Sequence, residues 1–427
     1  MASTYLTQTP SSTGNRDKYT LSLWFKRTGI GSVQKFFNAR VDSGNYTEFG
    51  FESTDELQIY NYNGNSTRML RQTNKKFRDT NSWYHLVLKY DSAQSTASDR
   101  FKIYINGVEE TSFSSSTEPL QNEDSNLNVS GAVQTYGRSN GNTYYFDGVI
   151  SHIHLTDGYA YAPTEFGETD STTGEWKIKT SPSVSYGTNG YWILKDGNSV
   201  TDSSTNSNNF TVAGGTLTKT EDCPSNVFCT MNPLDKYAVA LTNGNTTATC
   251  ENNASTGVMS TLAVNSGKWY WEAKVGDSAT DTFNVGVRKT GQNNYGVTGF
   301  PYSANGWVYA VDGNIYHNGS TLLNTGTTCT VGDIIGFILD MDAGTLKLKK
   351  NGSDIYSGNA VITGLNTGEH FHVVQGSSQS LVYFNFGNGY FGTTAVSSAG
   401  TNASNNGIFE YDVPANHTAI STKGYNL

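Results

Sequence analysis

Asp333–Gly352 reads DIIGFILDMDAGTLKLKKNG. An apolar strand runs into an Asp-led turn, a second strand alternates apolar with charged residues, and an Asn-Gly pair follows, the strongest short-range hairpin signal. The first third of the chain builds the same phrase from other letters: WYHLVLKYD (Trp83–Asp91), then FKIYINGVEE (Phe101–Glu110) with its own Asn-Gly turn. Side chains two apart share one face of a strand. In YTLSLWFKR, Tyr19, Leu21, Leu23 and Phe25 therefore take one face, and Thr20, Ser22, Trp24 and Lys26 the other. That pattern predicts one buried and one wet face. FKIYI turns Phe101, Ile103 and Ile105 inward. GKWYWEAKV does the same with Trp269, Trp271, Ala273 and Val275. The near-continuous apolar run GFILDMD predicts a central strand covered on both faces. The tail GIFEYDVPANHTAISTKGYNL keeps apolar residues almost to its end, which predicts that it is tied down.

At 427 residues the chain is long enough for two or three domains. Only 15% of it is charged, below the typical ~25%. Its polar character comes from Ser, Thr, Asn and 45 glycines, the vocabulary of strands and turns. The expected fold is all-β, with two tandem antiparallel β-sandwiches at 1–167 and 225–427. Between them, 168–224 reads as a Ser/Thr/Asn/Gly-rich connector with one strand in GYWILKD (Gly190–Asp196). Trp176, Trp192 and Phe210 demand burial, so the connector is expected to lie partly ordered against its neighbours. Pro163 is placed to open a single helical turn.

A net charge of −9 argues against nucleic acid as a partner, since phosphate affinity is dominated by Lys and Arg. The one basic cluster, RMLRQTNKKFR (Arg68–Arg78), reads as a solvated loop or edge. MASTYLTQTP carries neither the basic start nor the apolar core of a secretion signal. No window approaches the ~18 apolar residues of a membrane span. The four cysteines are too sparse for a disulfide scaffold; Cys223 and Cys229 are close enough to invite a bridge, with buried or half-buried free thiols the favoured expectation.

Catalytic sets are not written in the chain. Glycanases on sandwiches of this kind carry acids at i, i+2 and i+4 on one strand, one attacking and one donating a proton. No E-x-D-x-E triplet occurs, and Asp340 and Asp342 sit at a strand end and its turn, where Asp is favoured. Nucleophile elbows and phosphate loops are missing as well. His152 with His154, and His370 with His372, are spaced to share a strand face. A zinc site needs three or four ligands, so these pairs are expected as solvent-face histidines.

YTLSLWFKR, WYHLVLKYD, FKIYINGVE and YYFDGVISHIHLTDG resemble a laminin-G or concanavalin-A-like jelly roll over 1–167. GKWYWEAKV, FNVGV, GFILDMDAGTLKLKKNG and VYFNFG resemble a SPRY domain over 225–427. The tandem, with FGETDSTTGEWKIK and SPSVSYGTNGYW between, is similar to structural proteins of tailed bacteriophages, marine ones above all. DCPSNVFC departs from that pattern by its two cysteines. The resemblance implies a virion-surface protein, made in the host cytoplasm, in a tail fibre, head fibre or capsid decoration. Its implied partners are other virion proteins and a host-surface glycan or receptor, with no membrane insertion and a closed homo-oligomer. No cofactor is expected. Calcium, common in lectin-type sandwiches, would draw on loop oxygens such as Asp42, Asn45, Asp147 and Asp157, although no spacing singles out a site.

Glycan binding needs aromatic faces for sugar C–H groups and polar edges for hydroxyls. Three clusters qualify. They are Tyr60, Asn61, Tyr62 and Asn63; Tyr136, Tyr144 and Tyr145; and Tyr295, Phe300, Tyr302 and Trp307, on the stretch NNYGVTGFPYSANGW. The expectation is a non-catalytic attachment protein. The alternative is a purely architectural virion subunit whose sandwiches bind neighbouring capsid or tail proteins.

Overall fold

The computed structural model describes residues 3–139, 141, 143–252, 256–277, 282–291, 304–376 and 378–427. The chain divides into two units, Met1–Lys219 and Thr220–Leu427. The first unit begins with strands β1 (Tyr5–Gln8), β2 (Lys18–Arg27), β3 (Gln34–Asp42), β4 (Asn45–Phe51), β5 (Glu56–Asn63), β6 (Ser66–Lys76), β7 (Tyr84–Asp91) and β8 (Phe101–Ile105). It continues with β9 (Val108–Glu110), β10 (Phe113–Thr117), β11 (Val133–Tyr136), β12 (Gly148–Asp157), β13 (Gly167–Thr169), β14 (Trp176–Ile178), β15 (Tyr191–Ile193) and β16 (Thr211–Gly214). An eight-stranded sheet runs β10-β6-β5-β4-β3-β11-β1-β16, and a six-stranded one β15-β12-β2-β7-β8-β9. β13 and β14 pair as a separate ribbon. Pro163 opens a short 3-10 turn just before it, as its fixed φ suits.

The inner faces of the two sheets form one core. β2 contributes Tyr19, Leu21, Leu23 and Phe25, the face that alternation predicts, and β8 contributes Phe101, Ile103 and Ile105. Phe37, Phe49, Phe51, Leu57, Ile59 and Met69 come from the opposing sheet. Each large apolar side chain so buried stabilises by roughly 1.5–3 kcal/mol.

The outer face of β2 is not wet. Thr20, Ser22, Trp24 and Lys26 are buried, as are His85 and Val87 of β7 and His154 and Thr156 of β12. The cover is the stretch 158–189. Tyr161 N–H donates to Thr20 Oγ1 (2.7 Å), which in turn donates to the Tyr159 carbonyl (2.9 Å). Phe166 packs on the His154 ring, and Trp176 stacks over His85. The expected connector 168–224 therefore belongs largely to the first unit. It covers one sheet, then supplies β15 beside β12 and β16 beside β1. A face of Thr, Ser, His and Trp can be buried when its polar groups find partners, and alternation alone does not say what lies above it.

At one end of β2, Arg27 and Asp55 form an ion pair with both side chains almost fully buried. Arg27 Nη1 donates to Asp55 Oδ1 (3.1 Å) and to the Phe77 carbonyl (2.9 Å). Arg78 Nε donates to Asp55 Oδ2 (2.8 Å), and the Gly31 N–H to Oδ1 (2.8 Å). The Arg27 guanidinium lies 4.3 Å over the Phe51 ring.

The second unit is again built on two large sheets, of seven and eight strands, with a separate ribbon of Tyr390–Phe391 and Thr394–Ala395. Trp269, Trp271, Ala273 and Val275 share its core, together with Ile335, Phe337 and Leu339. On the other side of the strand Ile334–Asp340, Ile338 packs with Tyr270, Phe409, Val413 and Ala419. The central strand is thus covered twice, the second time by the tail. Thr418–Ala419 pairs in parallel with Lys268–Val275. Asp340 does turn work, its Oδ1 accepting the Ala343 N–H, whereas Asp342 Oδ1 accepts the N–H of distant Gly267, just before the strand Lys268–Val275.

Glu272 ties the tail down. Its fully buried carboxyl accepts hydrogen bonds from the N–H groups of Glu410 and Tyr411 (both 2.9 Å), from Asn385 Nδ2 (3.0 Å) and from the Tyr270 hydroxyl (3.1 Å). Burial pushes this carboxyl up to about 7, against the pull of those donors. The folded value lies above the unfolded one of about 4.3, so folding takes up a proton between the two. Stability then falls as pH rises through that window, by at most about 1.4 kcal/mol per pH unit. Urea midpoints of the second unit should fall from pH 4.5 to 7.5 in the parent chain and change less in Glu272→Gln. Parallel curves would remove Glu272 as the titrating group.

Candidate functional site

Tyr60 and Tyr62 leave β5 on the same side, away from the core. Cross-strand pairing sets Tyr46 of β4 opposite Tyr62 and Glu48 opposite Tyr60. The three half-buried tyrosines form one platform. Tyr60 and Tyr62 stack at 5.7 Å and 18°, and Tyr46 lies 5.8 Å from the first and 5.3 Å from the second. Burial, aided by the neighbouring Tyr60 phenol, pushes the Tyr46 hydroxyl up to about 12, so it stays a neutral donor at physiological pH. Asn61, between the two tyrosines, points the other way. It is buried and accepts from Thr47 Oγ1 (2.7 Å) and Asn126 Nδ2 (3.0 Å). Asn63 Nδ2 is held by the Asp124 carbonyl at 2.6 Å.

Beside the platform lies a charged cluster. The Lys35 ammonium, largely buried, is 2.9 Å from Glu52 Oε1 and 3.9 Å from Glu48 Oε1, and donates to Gln58 Oε1 (3.2 Å). Glu48 Oε2 accepts from Asn38 Nδ2 (3.1 Å) and Ser139 Oγ (2.7 Å). Glu48 and Glu52 stand four apart around one cation, a carboxylate pair that the search for an acid triplet did not single out. The place of a middle acid is Gly50, and the Lys35 side chain crosses it: a Cβ there would sit 2.5 Å from Lys35 Cδ. Both acids are engaged by the lysine.

The second expected cluster comes apart. Tyr136 is not a ligand residue: it lies in the core, 4.9 Å from Phe37 and 5.5 Å from Phe210, with its hydroxyl 2.9 Å from that of Tyr191. Inward-facing Gln134, which accepts from the Tyr191 hydroxyl (3.0 Å), makes β11 look polar where it is buried. Tyr144 is 54% exposed. Tyr145 lies 6.5 Å from Tyr5, whose ring carries the Arg138 guanidinium at 3.5 Å. Tyr145 also bridges to Lys35 through the backbone, so Tyr144 and Tyr145 border the charged cluster from the side opposite the platform.

Tyr295, Phe300 and Tyr302 lie outside the described residues. Trp307 is on the strand Gly306–Ala310, half-buried, stacked face to face on His317 at 4.3 Å and tilted against Phe371 at 6.0 Å. It is anchored in a sheet, and His317 is a neighbour that sequence spacing did not reveal.

The histidine pairs do not face solvent together. His154 is buried, and a register shift between Ser151 and His154 separates it from His152, which has φ +50°. His372 Nδ1 meets the Ser260 carbonyl at 2.8 Å, while His370 is exposed. The four oxygen donors proposed for calcium do not converge. Asp42 accepts from Asn45 Nδ2, Asp147 from Thr28 Oγ1, and Asp157 from the N–H groups of Asn15 and Asn189. The donors they meet are N–H groups on Asp42 and Asp157 and a hydroxyl on Asp147, and a calcium site needs six to eight oxygens. Among the described residues no three metal-ligating side chains cluster. Arg68–Arg78 is strand β6 running into its loop, and each of its five cations lies within 4.0 Å of a carboxylate. None of the four cysteines is joined in a disulfide. A groove of about 310 Å³ where β1 diverges from 207–211 is lined by hydroxyl and amide groups without an aromatic ring, so it lacks a stacking surface.

Residues 2–165 match the Laminin_G_3 family model, described as the concanavalin A-like lectin/glucanases superfamily, and residues 268–389 match the SPRY domain. No curated protein matches the chain. Similar solved structures include the SPRY domain of human HERC1, at 22% identity over 36% of this chain and 96% of that one, with TM-score 0.32. The TRIM65 PSpry domain is 14% identical over 37% and 91%, TM-score 0.29. A heptameric SAP-like pentraxin from Limulus polyphemus is 14% identical over 37% and 71%, also with TM-score 0.29. Domains of the two matched kinds are typically non-catalytic binding domains. The chain carries a Laminin_G_3, concanavalin A-like domain followed by a SPRY domain.

Proposed function

We propose that this protein binds carbohydrate without transforming it, through the outer face of the eight-stranded sheet of its first unit, and that it does so at the surface of a virion. The observation that carries the binding is the platform of Tyr46, Tyr60 and Tyr62, three half-exposed rings within 5.8 Å of one another beside a fixed polar cluster. Flat rings receive sugar C–H faces, and phenol, amide and carboxylate groups at the rim take hydroxyls. The rigid sheet holds them in place, so little ordering is lost on binding. The lectin part of the first domain's family description supports the ligand class. The virion setting, with host-surface glycan or receptor as target, rests on the resemblance of the tandem to tailed-phage structural proteins.

A glycan array probed with the full chain tests this. Binding to a defined set of glycans, without sugar release on prolonged incubation, is the expected result. Release of reducing ends that disappears in Glu48→Gln would make the Glu48–Glu52 pair catalytic and overturn the reading. No glycan binding, with firm binding to capsid or tail proteins, would favour the architectural alternative.

A further inference from the structure

We propose that the stretch 158–189 is an acid-released strap: protonation of His85 breaks the contact by which Trp176 holds it against the six-stranded sheet. The Trp176 indole N–H donates to His85 Nδ1 at 2.9 Å. An indole nitrogen is a donor only, so Nδ1 must be bare. The ring proton then sits on Nε2, which faces Ser22 Oγ at 2.8 Å. Both ring nitrogens are committed, and a proton added at Nδ1 would set two N–H donors against each other.

The rest of the latch depends on Trp176. Its ring is slotted between two glycines: a Cβ on Gly107 would come within 2.7 Å of it and one on Gly167 within 2.5 Å. Beneath it, His85 stacks on Trp24 at 4.7 Å and 11°. Groups packed around His85 offer an imidazolium no counter-charge. β2 presents Ser22, Trp24 and, further along, buried Lys26. The turn after β8 presents Asn106, whose Oδ1 takes the His85 backbone N–H. β14 presents Trp176, and β12 presents His152 and His154, further imidazoles that would repel an imidazolium if protonated and carry no negative charge. Burial pushes His85 down to about 3 and His154 well below its ordinary value. His154 Nδ1 meets the hydroxyl of Tyr186, on the same strap, at 2.9 Å.

In the closed state these histidines are neutral; once uncovered they return towards the ordinary value of about 6.5. Below that pH the opening equilibrium rises about tenfold per pH unit for each histidine uncovered. Release would expose Trp24, His85 and Val87 as an aromatic and aliphatic surface.

Hydrogen exchange of the full chain from pH 7.5 to 4.5, corrected for intrinsic rate, tests this. Amides of 166–179 should lose protection ten- to a hundredfold per unit below about pH 6.5, while β2 and β7 stay protected. In His85→Gln the side-chain carbonyl can still accept the Trp176 N–H but cannot titrate, so the slope should drop by one decade per unit. Trp176→Phe should loosen the strap already at pH 7.5. Constant protection of 166–179 across the range, or an unchanged slope in His85→Gln, would overturn the proposal. In the parent chain, nitrogen NMR should find His85 neutral and protonated on Nε2 while the strap is closed. An imidazolium in the closed state would overturn it independently of any variant.

Discussion

Asp55→Ala is expected to destabilise the first unit by about 3–5 kcal/mol, because it leaves the Arg27 guanidinium buried without its counter-charge. Removing one partner of a buried pair forfeits the attraction but keeps the desolvation cost of the other. Here the loss includes two hydrogen bonds from side chains, Arg27 and Arg78, and one from a backbone N–H. Arg27→Met with Asp55→Ala should lose less than the sum of the two single changes, since the pair then disappears together. Additive losses in urea unfolding would show that the two do not act as a unit. The pH dependence follows from the same contacts. Burial pushes the Asp55 carboxyl up, but the Gly31 N–H and the Arg78 and Arg27 guanidiniums outweigh it and hold it below the ordinary value. Its contribution is therefore present above that ordinary value and is lost as pH falls through the depressed one.

Tyr60→Ala with Tyr62→Ala is expected to weaken binding of an array-positive glycan by about thirtyfold or more, since centrally placed aromatic contacts are worth roughly 2 kcal/mol or more. Both side chains lie outside the core cluster, so the unfolding midpoint should move little. Tyr46→Phe keeps the ring and removes the hydroxyl, so it should cost less than Tyr46→Ala. Isothermal titration with the parent chain and the variants separates stacking from hydrogen bonding. Equal affinity in the parent chain and the Tyr60, Tyr62 double variant would exclude the platform as the contact.

Much of the architecture was legible in period-two alternation. Tyr19 to Phe25 and Trp269 to Val275 face their cores as spacing says, and the doubly covered strand at Ile334–Asp340 follows from its unbroken apolar run. What alternation could not report is cover arriving from elsewhere in the chain. Trp24 and His85 look like a wet face until Trp176, 91 residues from His85, is laid over them. Tyr136 looks like a surface aromatic because β11 buries a Gln beside it. The Gln134 Oε1 accepts from the Tyr191 hydroxyl, a partner that spacing does not disclose. The platform was half visible. Tyr60 and Tyr62 share a face by spacing, but Tyr46 joins them only through the register of β4 against β5. The Glu48–Lys35–Glu52 cluster likewise needs strand pairing, here of β3 against β4, because its cation comes from β3.

A structure of the full chain with an array-positive glycan tests the binding claim most directly. A sugar ring lying on Tyr46, Tyr60 and Tyr62, with its hydroxyls bonded at the rim and its glycosidic bond intact, is the predicted result. A glycan seated elsewhere on the molecule, or found cleaved between Glu48 and Glu52, would contradict it.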